Sequence, residues 1–395
     1  MTDPLGQSQI LPYLAGLSKH GYVFTILSFE KKERYAAQKH IIESFVANAG
    51  IEWIPMSFTK TPPLLSKFYD VIRMKRKAFA LHREKKFDMV HCRSYIAADI
   101  GLKMKKKFGT KFFFDMRGFW ADEKKDGGAW KDNHPVFKRV YSYYKRKEAE
   151  YLQDADHIIS LTEAGKKEME TWVAYNPATP VTVIPCCADM SHFTLTSSEQ
   201  KLAARKKLSI GNDKLVISYL GSIGSWYMLD EMLELFAIIR KSYSNAFFLF
   251  ITHSEVNFIR KKAGEYSIAI EDMLITEASR EEVPFFIKAS DINISFIKPV
   301  YSKLSSSPTK LGEVLSTGIP VIVNRGVGDV ELIVKQTDSG LVLKDFSTET
   351  MEEVVKQISD LVKLDAGNIR EKARDIFDLD RGISLYERAY HKLFS

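Results

Sequence analysis

Twelve short apolar runs punctuate this chain of 395 residues, and their spacing constrains the fold more than any other feature. In the first half they are Val23–Phe29, Ile51–Met56, Met89–Cys92, Lys111–Asp115, His157–Leu161 and Val181–Ile184. In the second half they are Leu215–Leu220, Ala246–Thr252, Met273–Thr276, Ile292–Phe296, Val321–Asn324 and Leu341–Leu343. Each is rich in β-branched and aromatic residues, and longer stretches of helical periodicity separate them. Strands that are apolar throughout and alternate with helices belong to parallel sheets covered on both faces.

The pattern occurs once on each side of Pro185–Lys207, a segment that runs from proline through Thr194-Leu-Thr-Ser-Ser into a charged helix start. The sequence therefore predicts an α/β protein with two doubly wound, Rossmann-like domains: residues 1–185, a linker over 186–207, a second domain over 208–375, and a terminal helix over 376–395. At the N-terminus, the glycine turn Leu5-Gly6-Gln7 leads into an amphipathic helix (Ile10, Leu11, Leu14, Leu17). A doubly wound domain places such a turn after its first strand, which predicts a further strand upstream of Met1.

Bulk properties exclude several classes. No stretch approaches the ~20 continuous apolar residues of a membrane span, and the first residues lack a secretory pattern. Three cysteines, with Cys186 and Cys187 adjacent, make neither a disulfide framework nor a metal spacing, which predicts a reducing, cytoplasmic setting. The nine histidines show no ligand spacing, so no metal is expected. Charge is uneven. Residues 1–190 carry 31 Lys and Arg against 22 Asp and Glu, and the remainder 26 against 28. A basic first half points to an anionic partner. Pro63–Phe87 interleaves Leu64, Leu65, Phe68 and Ile72 with Lys67, Arg73, Lys75, Arg76 and Lys77, a composition suited to an anionic membrane or to a sheet-covering helix with a solvated face.

The most informative segment is Ser305–Ile322. Ser306 or Ser307 suits an N-cap and Pro308 a first helical turn. The helix runs to Gly318, and Ile319-Pro320 opens a buried strand. Lys310 and Glu313 share one helix face near its positive end, a natural seat for phosphate. Lys310 supplies a point charge for a diphosphate and Glu313 an acceptor for ribose hydroxyls; as an alternative the two form a surface pair. Tyr219-Leu-Gly-Ser-Ile-Gly-Ser-Trp-Tyr227 ends the first strand of the second domain, and Gly221, Ser222 and Gly224 let backbone amides approach a phosphate. In the first domain, His91-Cys92-Arg93-Ser94 and Asp115-Met116-Arg117-Gly118-Phe119-Trp120-Ala121-Asp122-Glu123 follow strands, where α/β sites form. Arg93 and Arg117 offer planar paired donors to an anion or sugar. Asp122 or Glu123 is placed to orient an acceptor hydroxyl or take its proton. A salt-bridged loop at the domain interface explains the same residues.

Helix, Gly-Ile-Pro-Val-Ile strand, Gly326-Val-Gly328 turn and the acidic start at Asp329 and Glu331 resemble the donor-binding module of family 4 GT-B glycosyltransferases, and the likeness runs in order along most of the chain. It implies two Rossmann-like domains facing across a cleft, with the C-terminal helices packed back on the first. The family's Glu-x7-Glu motif puts its second Glu, the donor-ribose residue, at Glu313. Its first falls on Ser305, so the sequence is closer to a Ser-x-Pro-x-Lys-x-x-Glu subgroup, which implies Ser307, Lys310, Leu311 and Glu313 as donor contacts. Ser225-Trp226-Tyr227 replace the family's usual Arg and Lys after the glycine turn, which leaves the diphosphate to Lys310 or Arg280. The base-cradling position falls at Glu281–Pro284, including Val283. Gly6 lies in the equivalent of the family's N-terminal glycine loop. Asp115 and Arg117 stand where a His usually adjoins the reacting sugar.

The resemblance implies a metal-independent, retaining glycosyltransferase. It would use a UDP- or GDP-sugar as its only cofactor-like ligand and a saccharide or lipid-linked acceptor, in bacterial surface glycan synthesis at the inner face of the plasma membrane, with Asp115, Arg117 and Asp122 as catalytic residues. Three alternatives differ in what they bind. An epimerase or phosphorylase lacks the acceptor groove or the nucleotide. An inactive GT-B scaffold lacks turnover. A nucleic-acid-binding protein shows salt-dependent retention on DNA or RNA, and the chain lacks a recognisable module for it.

Overall fold

The computed structural model describes residues 1–62, 65–131 and 133–394. Every predicted run is a strand: β1 (Thr25–Glu30), β2 (Glu52–Ser57), β3 (Met89–Arg93), β4 (Lys111–Asp115), β5 (His157–Ser160), β6 (Val181–Val183), β7 (Leu215–Leu220), β8 (Ala246–Ile251), β9 (Met273–Thr276), β10 (Ile292–Ser295), β11 (Val321–Asn324) and β12 (Gly340–Leu343). The second domain holds one six-stranded sheet, in the order β12-β11-β10-β7-β8-β9, and its pairings are all parallel. Its central strands are buried on both faces, with Ile217, Tyr219, Phe248 and Phe250 fully enclosed, which explains their unbroken apolar sequences.

The first domain is less regular than expected. Its strands form a four-stranded parallel sheet, β3-β4-β5-β6, and a separate parallel pair, β1-β2. Residues 1–9 bridge the two pieces at their carboxyl ends. The terminal amine of Met1 and the Thr2 amide bind the Glu30 carboxylate at the end of β1. Arg93, at the end of β3, donates to the Gln9 carbonyl at 2.9 Å. Gly6 does not make the expected turn. It lies within the helix Pro4–Gln9, a break follows at Ile10, and the helix Leu11–Ser18 resumes. A Cβ on Gly6 would meet the Met1 backbone at 2.7 Å, so this glycine serves close packing.

One other boundary is corrected. The helix Ser198–Lys207, started by a Ser197/Gln200 capping box, belongs to the second domain, because buried Arg205 pairs with Asp291 at 2.7 Å and donates to the Ala289 carbonyl. The linker therefore ends at Ser197. The terminal helix Leu379–Phe394 buries Ile383, Tyr386, Tyr390 and Leu393, one helical face, against the first domain as expected. The Tyr390 ring meets Phe113 edge-on at 5.1 Å, and its hydroxyl meets His91 Nδ1 at 2.7 Å.

The domains touch through loops at their strand ends. Ser305 Oγ accepts from the Phe119 amide at 2.8 Å, and Thr162 Oγ1 donates to the Leu304 carbonyl at 2.7 Å. Asp329 caps the helix Glu163–Glu170 across the boundary by accepting from the amides of Glu163 and Ala164, a favourable place for a carboxylate.

Candidate active site

On the second-domain side the site is assembled by one helix and one turn. The helix Thr309–Ser316 buries Leu311, Val314 and Leu315 in the core, which leaves Lys310 and Glu313 on another face. Leu311 is therefore a packing residue, not a donor contact through its side chain. No side chain caps this helix. Pro308 occupies the N-cap position, one residue later than the expected serine. The turn after β7 passes directly beneath Lys310. Gly221 has φ 126°, and a Cβ there would collide with Lys310 Nζ, so only glycine fits. Lys310 Nζ donates to the Tyr227 hydroxyl at 3.2 Å and lies 4.6 Å from the centre of its ring, a cation–π contact.

Glu313 is buried, with Arg280 at 3.7 Å. Burial pushes its carboxyl up to about 7, against the opposing pull of Arg280 and Lys310. Arg280 is thus the partner of Glu313. Ser222 is exposed and its carbonyl accepts from the Tyr219 hydroxyl. Gly224 lies exposed in open space, and Val283 begins the short helix Val283–Ile287. Ser307 Oγ accepts from the Cys186 amide at 3.1 Å, which ties the loop before this helix to the first domain.

Across the cleft, Asp115 is fully buried at the end of β4. His91 Nε2 and Arg93 approach its Oδ2 at 3.4 and 3.5 Å, and the Tyr386 hydroxyl donates to it at 3.1 Å. Burial would raise its pKa, but Arg117, His91 and Arg93 outweigh that and hold it at about 2. Arg117 turns back towards it through a left-handed backbone (φ 56°) continued by Gly118, and it donates to Cys186 Sγ at 3.1 Å. Asp115 is an anchor for these groups and does not face the cleft as a proton acceptor.

Asp122 lies elsewhere. It accepts from the Tyr141 hydroxyl at 2.7 Å and from Lys145 at 3.0 Å, in the wall of a cavity of about 550 Å³ shared with Glu148, Trp172 and Tyr301. Both of its oxygens are engaged, which removes it as a free general base. Among the described residues no group of His, Cys, Asp and Glu could hold a metal ion. Asp154 and Asp156 serve structure: Asp156 accepts from the Phe112 amide and Asp154 pairs with Lys106.

Several contributors were not evident from sequence. Lys303 is buried with Glu123 of the first domain at 3.0 Å, and its Nζ lies 3.7 Å from the centre of the Trp226 ring. Trp226 had a signal, an aromatic residue in a phosphate-type turn. Lys303 had none. Cys186 links Arg117 to Ser307, and nothing in the sequence pairs those positions.

The profile of Glycosyltransferase Family 4 matches residues 10–192, and that of Glycosyl transferases group 1 matches residues 200–375. Between them they span both domains. The chain belongs to the group 1, family 4 glycosyltransferases. Solved structures share its GT-B fold. HepE from Anabaena, in complex with UDP-glucose, superposes with a TM-score of 0.71 at 12% identity, over 100% of this chain and 97% of that one. The sucrose-phosphate synthase of Thermosynechococcus elongatus gives 0.69 at 14%, over 94% and 99%. WaaG, a glycosyltransferase involved in lipopolysaccharide biosynthesis, gives 0.63 at 15%, over 91% and 97%. No curated protein matches this glycosyltransferase significantly in sequence.

The anchor role of Asp115 predicts that Asp115→Asn destabilises this glycosyltransferase by about 1–3 kcal/mol, since it removes the counter-charge of partly buried guanidinium groups. A carboxyl depressed in the folded state contributes stability above its unfolded pKa and loses it as pH falls through the folded value. The wild type should therefore lose stability from pH 3.8 towards 2, and the variant should show less of that acid dependence. Urea midpoints that coincide for the two proteins at neutral pH would remove the anchor.

Proposed function

We propose that this glycosyltransferase moves a sugar from a UDP- or GDP-sugar to a saccharide or lipid-linked acceptor, with retention and without a metal, in the synthesis of bacterial surface glycans. The observation that carries the donor assignment is the placement of Lys310 and Glu313 on one face at the start of the helix Thr309–Ser316, over the glycine turn at Gly221. Lys310 and the free amides of the first helical turn stabilise charge that develops on the departing diphosphate, so the role of a metal falls to this chain's own groups. Glu313, as a carboxylate, accepts from ribose hydroxyls. Asp115 and Asp122 are both spent on cations, which supports a path without a carboxylate nucleophile. The bond from the anomeric carbon to the phosphate oxygen breaks, the acceptor oxygen bonds to that carbon on the same face, and its proton passes to the diphosphate.

The acceptor assignment to a lipid-linked species draws on the helix Leu65–Lys85. It exposes Phe68, Tyr69 and Ile72 beside Lys67, Lys75 and Arg76, while Arg73 is committed to Asp70 and the Ser57 carbonyl. Pro63 and Leu64, at the start of the basic segment, lie outside the described residues. No helix among the described residues is long and apolar enough to cross a membrane. The proposed setting is the cytoplasmic side of the plasma membrane, reached by peripheral contact.

Two measurements test these assignments. With UDP-glucose and GDP-mannose as calorimetric probes, Lys310→Ala should weaken the sugar nucleotide that binds by roughly tenfold or more. Affinity in the wild type should also fall as pH drops below about 7, where Glu313 takes up a proton, and Glu313→Gln should flatten that slope. Unaltered binding in Lys310→Ala would reject the diphosphate role. For the membrane contact, Lys75, Arg76 and Lys77 changed together to Gln should reduce sedimentation with phosphatidylglycerol vesicles, each charge contributing about 1 kcal/mol. Equal sedimentation would make the helix a solvated face.

A further inference from the structure

The cavity walled by Asp122 lies apart from the residues assigned to the donor, yet its walls have the make-up of a binding site. Its volume of about 550 Å³ falls in the ordinary range of ligand cavities, roughly 300–1,000 Å³. It sits at the domain boundary. The first domain supplies Asp122 and Asp126 from the helix Trp120–Asp126, Lys145 and Glu148 from the helix Pro135–Asp154, and Trp172; the second domain supplies Tyr301. The Ser302 amide donates to Asp126 at 2.9 Å and joins the two sides. Glu168 fixes one ring from each domain, accepting from the Tyr301 hydroxyl at 2.9 Å and from Trp172 Nε1 at 3.3 Å. Tyr301 rests on Phe119 with ring centres 5.6 Å apart and planes stacked. It is 42% exposed, which leaves its other face open.

The charges select the class of ligand. Three carboxylates, Asp122, Asp126 and Glu148, face two ammonium groups, Lys125 and Lys145, and that balance disfavours an anion. A cationic ligand finds the aromatic seats taken. Lys145 Nζ lies 4.5 Å from the centre of the Trp172 ring, and Lys125 Nζ lies 5.3 Å from that of Tyr141, both within cation–π range. Hydrogen-bond acceptors remain in supply. A carboxylate has about four lone-pair sites, and Asp122 accepts from the Tyr141 hydroxyl and Lys145, which leaves lone pairs for further hydroxyl donors. A neutral ligand with several hydroxyls and one apolar face matches these walls, and a pyranose ring has both.

We propose that this cavity binds a neutral saccharide, which lays the C–H face of one ring on Tyr301 and donates hydroxyl hydrogens to Asp122. Lys310, Glu313 and Gly221 are not among its walls, so saccharide binding here is independent of the donor assignment. Because the walls come from both domains, the bound sugar spans their boundary. Asp122 thus acts as a sugar-binding residue outside the transfer cleft, with Lys145 holding it in position.

Saturation-transfer NMR on the full chain tests this with glucose, galactose, N-acetylglucosamine, maltose and cellobiose, and with glucosamine and glucuronate as charged counterparts of glucose. At least one neutral sugar should bind, and more tightly than either charged one. Tyr301→Ala should weaken it by roughly fivefold and Asp122→Asn by roughly tenfold, while Lys310→Ala leaves it in place. Should Asp122→Asn fail to fold, the half-exposed Tyr301 still decides the matter. The cavity is ruled out as a saccharide site if none of the neutral sugars binds, if the charged ones bind equally well, if Tyr301→Ala binds like the wild type, or if Lys310→Ala abolishes binding. Sugar nucleotides are titrated separately. Saccharide binding that depends on Tyr301, in a chain that holds no sugar nucleotide, supports the cavity site and rejects the donor reading instead.

Discussion

The carboxylate of Asp115 sits fully buried where three parts of the chain meet, and the first-domain half of the cleft depends on it. It gathers His91 and Arg93 from β3, Arg117 from the loop after β4, and Tyr386 from the terminal helix some 270 residues away in sequence. A lone buried carboxylate is costly, and so are unpaired buried guanidinium groups. Together they hold one another in place, and the cations win the contest with burial, as the depressed pKa of the carboxyl records. The terminal helix is thereby part of the site's wall: Tyr386 orients Asp115 and Tyr390 orients His91.

From this anchor, contacts pass across the cleft in short steps. Arg117 meets Cys186, Cys186 meets Ser307, and Ser307 leads into the helix that presents Lys310 and Glu313. A second set of contacts closes the outer side, with Lys303 between Glu123 and Trp226 and with Asp329 capping the helix Glu163–Glu170. Transfer between two bound substrates requires both to be fixed within reacting distance. In this GT-B glycosyltransferase, the elements proposed to bind them are the same ones that join the domains.

Most of the architecture was legible in the sequence because it rests on local periodicity. Apolar runs such as Leu215–Leu220 and Ala246–Thr252 read as buried parallel strands, and strands stand there. The glycine turn at Gly6 was misread because a glycine before an amphipathic segment looks the same whether it opens a turn or lets a helix pack against Met1. On the site, the spacing of Lys310 and Glu313 pointed to a shared helix face, and Gly221 to a close backbone approach. Leu311 was grouped with them by motif, although the helix turns it into the core. The roles of Asp115 and Asp122 could not be read locally. Charged residues after a strand indicate a site, but whether each faces substrate or a cation is fixed by partners distant in sequence: Tyr386 for Asp115, and Tyr141 and Lys145 for Asp122.

The central claim is that the second domain grips a nucleoside diphosphate through the turn after β7 and the start of the helix Thr309–Ser316. Amide hydrogen exchange of the full chain, with and without UDP, GDP and ADP, tests it most directly. The account predicts that one of these slows exchange over 221–227 and 306–313, with the β1-β2 pair unaffected. Protection confined to the first domain, or none in a folded chain that meets all three, would contradict it.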